Sequence, residues 1–100
     1  MTPGELYAAA KAAVDRLDAS GADPREWARF SGDLLETIMK VQSFVMDRQR
    51  VILERTRIDA LAPELGPLRR EARDALYCLD KLTALYERVK QRLRSPPTAP

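Results

Sequence analysis

Apolar residues recur at three- and four-residue intervals in three separate stretches of the chain, the spacing of one face of an α-helix. The first stretch is Leu6, Ala10, Ala13 and Leu17, flanked by Tyr7 and Val14, and it stops before Gly21. Thr2, Pro3 and Glu5 precede it as a capping box with proline at the first helical position, where a missing N–H removes no bond. A helix over about 3–19 follows. Five alanines, at positions 8, 9, 10, 12 and 13, leave one flank thin, either for close backbone approach or simply as good helix formers.

Asp23, Pro24 and Glu26 repeat the start signal after a linker of about four residues, and short linkers make antiparallel neighbours. From Trp27 the pattern runs through Phe30, Leu34, Ile38, Val41, Val45, Ile52 and Leu53 to Ile58 and Leu61, with no proline before Pro63. This predicts a second helix over about 24–62, roughly 55 Å long at 1.5 Å per residue. Ser31, Gly32 and Asp33 mark a candidate break within it, because Ser31 suits a new N-cap and glycine weakens a helix interior. Pro63, Gly66 and Pro67 force a turn. Beyond it, Leu68, Ala72, Ala75, Leu79, Leu82, Tyr86, Val89 and Leu93 alternate four and three, a coiled-coil seam that predicts a third helix over 67–94. Residues 95–100, with three prolines in six positions, read as a disordered tail.

These elements make an all-α fold with one helical domain over 1–94. It is a long, coiled-coil-like antiparallel hairpin with a shorter N-terminal helix, resembling a three-helix bundle at one end. A turn near residue 65 pairs positions whose numbers add to about 130, which sets Val41 near Val89 and Ile52 near Cys78. In that register Arg88, Lys90, Arg92 and Arg94 run beside Asp33 and Glu36, and the arginines from 48 to 57 meet Glu71, Asp74 and Asp80. The first helix, about 25 Å long, covers only the half of the second from Pro24 to Val41.

The second helix carries two apolar stripes. One is Leu34, Ile38, Val41, Val45 and Ile52. The other is Leu35, Met39, Met46 and Leu53, with Gln42 and Gln49 interleaved. Near the turn the third helix covers one stripe and nothing in the chain is left for the other, so a second protein or a second copy is expected there. Methionine repacks against varied surfaces and glutamine keeps such a face soluble, which suits a binding face, while ordinary core or homodimer packing accounts for the same residues. The protein-interaction candidates are therefore Leu35, Met39, Gln42, Met46, Gln49 and Leu53. Trp27 and Phe30 read as the cap of the bundle core.

Composition narrows the chemistry. In 100 residues there is no histidine and one cysteine, which removes the commonest general base, the Ser/His and Cys/His nucleophile pairs and nearly every zinc arrangement. A chain of this length buries only about 60–65% of its unfolded surface, leaving little room for a substrate cavity. No catalytic, cofactor or metal site is expected, and the protein reads as a non-enzyme. The net charge is +2, but residues 1–47 hold five basic and eight acidic side chains and residues 48–100 hold twelve and seven. Arg48, Arg55, Arg69, Arg70, Arg73 and Arg92 are candidate phosphate contacts, which makes a nucleic-acid-binding helical protein the alternative to an interaction module. Acidic residues interspersed among them favour a solvated or internally paired surface. No segment has the length and apolarity of a membrane span, and Met1 to Glu5 lack the character of a signal peptide. Cys78 has no intrachain partner and sits beside the seam, either as half-buried packing or as a reactive thiol. A cytoplasmic protein is the simplest expectation.

Overall fold

The computed structural model describes residues 1–94. Three helices make up the fold: α1 (Pro3–Ser20), α2 (Pro24–Ile58) and α3 (Leu65–Arg94). The expected tail at 95–100 lies outside the described residues. Both capping boxes form as the sequence dictates. The Glu5 amide donates to Thr2 Oγ1 at 3.2 Å, and the Thr2 amide donates to Glu5 Oε1 at 3.4 Å. Asp23 and Glu26 repeat this reciprocal pair at 3.0 and 3.1 Å. Gly21 closes α1 at φ 64°, the left-handed conformation glycine adopts without a Cβ penalty, and its amide bonds back to the Asp18 carbonyl.

The turn lies earlier than the proline and glycine pattern indicates. α2 stops at Ile58, because Asp59 leaves the helical region at φ −153° and its side chain accepts the Leu61 amide at 3.0 Å, an Asx turn. α3 begins at Leu65, so Gly66 and Pro67 fall within its first turn, where proline lacks nothing the helix needs. The hairpin register moves accordingly. The cross-helix ion pairs Arg48–Glu71 and Arg55–Glu64, both at 3.0 Å, join positions whose numbers add to 119 in each case. Val41 is therefore level with Cys78, and Ile52 is level with Pro67. Arg92 pairs with Asp18 of α1 at 2.6 Å and not with Asp33 or Glu36, while Lys90 pairs with Glu87 of its own helix at 3.6 Å. Ile58 and Leu61, expected at the end of the apolar run, are instead exposed beside and within the turn.

α2 continues through Gly32 without a break. Ser31 does not cap; its hydroxyl donates to the Ala28 carbonyl at 2.7 Å, and Phe30 and Leu34 on either side pack into the core. A Cβ built at Gly32 meets nothing within 4 Å. Gly32→Ala is expected to stabilise the fold by about 0.5–1 kcal/mol, the difference in helix propensity. Thermal unfolding by circular dichroism checks it, and a lower melting temperature would show that glycine's freedom is needed there.

α1 runs antiparallel to α2 and packs more extensively on α3 than on α2. The core at this three-helix end contains Val14, Trp27, Leu34, Ile38, Val41, Val45, Ala75, Leu82, Leu85 and Val89. Of the five alanines only Ala10 is buried. The α3 seam keeps the four-three pattern at Ala72, Ala75, Leu82 and Val89, which are buried, and is looser or altered at its other positions. Leu79 and Tyr86 are half-buried, Leu93 is exposed, and Leu85 is buried because α1 covers that flank. Toward the turn the hairpin stands alone, closed by Leu65 and Ala72. The molecule is accordingly long, 64 × 19 × 17 Å.

Candidate protein interface

The helical repeat of about 100° per residue decides which side of the hairpin each stripe occupies. On α2, Phe30, Asp33, Thr37 and Phe44 line the grooves against α1. On α3, Cys78, Lys81, Leu85 and Arg92 face α1. Leu34, Ile38, Val41 and Val45 point between α2 and α3 and are buried. Positions 35, 39, 42, 46, 49 and 53 therefore lie on the flank of α2 opposite α1. On α3 the matching flank holds Leu76, Asp80 and Thr83, with Leu79 and Tyr86 at its inner edge.

All six interaction candidates are on this uncovered flank and all six are exposed. Leu35 is 43% exposed, Met39 58%, Met46 69% and Leu53 56%, and Leu76 of α3 adds 39%. Gln42 and Gln49 break the apolar line without interrupting its direction. The face is thus two helices wide, with an apolar file on α2 interleaved by Gln42 and Gln49, and Leu76 on α3 flanked by the polar side chains of Arg69, Asp80 and Thr83. Isolated exposed leucines are ordinary on a soluble surface, but four large apolar side chains in one file are a contiguous patch.

The six candidate arginines do not form one patch. Arg48 lies over the Phe44 ring at 4.7 Å and pairs with Glu71, Arg55 pairs with Glu64, and Arg92 stacks on Trp27 at 5.7 Å while pairing with Asp18. Arg69, Arg70 and Arg73 are exposed within about a 100° arc of α3, with Arg69 and Arg73 one turn apart on the flank away from α1. Trp27 is in the core, 7% exposed, and Phe30 packs half-buried against it. Cys78 is a half-buried free thiol at the groove beside the start of α1. Among the described residues no three His, Cys, Asp or Glu side chains gather as a metal site, and no helix is long and apolar enough to cross a membrane.

The sequence left out Leu76, which its own periodicity shows only once the α1-facing side of α3 is known. No family model matches the chain, and no curated protein and no solved structure matches it significantly.

Proposed function

We propose that this protein is a non-enzymatic protein–protein interaction module acting through the apolar flank of the hairpin opposite α1. An adaptor, an assembly subunit or an export- or secretion-type chaperone fits that description. The supporting observation is the exposed file Leu35, Met39, Met46 and Leu53, which no other part of the described chain covers. Its mixture of methionine and glutamine suits a surface that is soluble when free and repacks on contact. A single free cysteine fits a reducing cytoplasm.

A photo-activatable side chain at position 49, introduced in the native host, is expected to form protein adducts. The same probe at Asp15, exposed on α1, is expected to form far fewer. Equal labelling from both positions, or none from position 49, overturns the reading.

The rival reading, binding to nucleic acid, has three of its six arginines already engaged with carboxylates. A random DNA duplex is therefore expected not to be retained even at about 50 mM salt. Retention there with a steep loss by about 200 mM, the signature of counterion release, would favour the rival.

A further inference from the structure

We infer that the occupant of this face is a second copy of the chain, packed antiparallel so that two hairpins close a four-helix bundle. The inference rests on the proposed interaction function and names its partner. The spacing of the stripe is the same read in either direction: positions 35, 39, 42, 46, 49 and 53 step by four, three, four, three and four. A two-fold axis at the middle of the stripe, perpendicular to the helices, therefore lays it on itself with Leu35 against Leu53 of the other copy. Met39 then meets Gln49, and Gln42 meets Met46. Each methionine faces a glutamine's aliphatic stem, and the two ends are closed by leucine pairs.

Charge selects this orientation over the parallel one. The same axis sets α3 against α3 with paired positions adding to about 150, which brings Arg69 to Asp80 of the other copy, twice per dimer. Neither residue has an ion-pair partner within the described chain. A parallel arrangement keeps each residue at its own level of the hairpin and sets α2 against α3. It would place Arg50 beside Arg69 and bring Glu36 close to Asp80, like charges in both cases. The size is adequate. From Leu35 to Leu53 the face is about 27 Å long and two helices, roughly 20 Å, wide. That is about 550 Å² per copy, so the pair approaches the roughly 1,200 Å² at which specific interfaces begin. A micromolar dimer is the expected strength.

Sedimentation equilibrium is the suitable measurement, since a rod 64 Å long elutes early from a sizing column whatever its mass. Wild type is expected to dimerise at micromolar concentration, and Met46→Lys to be monomeric with unchanged helical content. Arg69→Asp and Asp80→Arg are each expected to raise the dissociation constant about tenfold, and the double variant to restore it. Orientation is read by disulfide trapping in a Cys78→Ser background. Leu35→Cys with Leu53→Cys should oxidise to a covalent dimer whose cross-linked peptide joins position 35 of one copy to position 53 of the other. Leu35→Cys alone should not cross-link. A wild type that stays monomeric at 100 μM or above (about tenfold past the expected range) overturns the inference, as does a 35-to-35 link. If the position-49 photoprobe then labels only a different protein, the interaction function stands without the self-pairing. If it labels nothing, both fall.

Discussion

Leu82→Ala is expected to lower the unfolding free energy by about 3–4 kcal/mol, the cost of a cavity in a core that relaxes only partly. Leu82 is 0% exposed at the middle of α3, between α1 and α2. For a domain of this size that corresponds to a fall in melting temperature of roughly 12–25 °C. Leu79→Ala, three residues earlier and half-buried, is expected to cost about 1–2 kcal/mol, because its side chain loses fewer neighbours and leaves a site that solvent can fill. Denaturant unfolding at one fixed protein concentration compares the two. Equal losses would mean that the half-covered flank is as tightly packed as the core.

Val14→Asp is the second large effect. Val14 is 2% exposed, on the face of α1 that packs into the bundle. An unpaired carboxylate there has no hydrogen-bond partner among its apolar neighbours, so α1 is expected to undock at a cost of at least about 3 kcal/mol at neutral pH. The protein's only tryptophan reports this directly: Trp27, buried when α1 is in place, should show red-shifted fluorescence. The pH dependence has a definite sign. Burial raises the carboxyl's pKa in the folded state above its unfolded value near 4. The penalty is therefore full above the folded-state pKa and fades as pH falls toward the unfolded one. The stability gap between variant and wild type should narrow on acidification from pH 7 to about 4; a gap independent of pH would place Val14 outside the core.

The sequence declares helix starts more clearly than helix ends. Thr2 with Glu5 and Asp23 with Glu26 act within four residues, so their capping geometry is readable from spacing alone. The turn was harder because two local signals compete. Pro63, Gly66 and Pro67 are conspicuous, but Pro67 is compatible with a first helical turn, and the chain actually leaves the helix at Asp59 through a side-chain hydrogen bond. That displacement carries through every cross-helix pairing, which is why Arg92 meets Asp18 and not Asp33 or Glu36. The uncovered stripe on α2 was readable because its spacing is set by one helix. The burial of Leu85 was not, since it depends on α1 lying along α3, a contact between segments far apart in sequence. Gly32 shows tertiary packing overriding a local preference: Phe30 and Leu34 hold the helix on either side.

The placement of α1 also bears on the chain entropy of closing the fold. Closing the hairpin at Arg55 and Glu64 spans 9 residues, whereas bringing Asp18 to Arg92 spans 74. The longer closure costs about 2 kcal/mol more in chain entropy. Closing the hairpin from its turn removes that cost, because only the linker over residues 21–23 then separates α1 from the paired helices. Until α1 docks, both flanks of the hairpin are open: the one α1 covers mixes Phe30, Phe44 and Leu85 with Asp33, Lys81 and Arg92, and the other carries the stripe. α1 reaches one flank as a tethered segment, at a local concentration no separate molecule matches, and the tether settles which flank stays available for another chain.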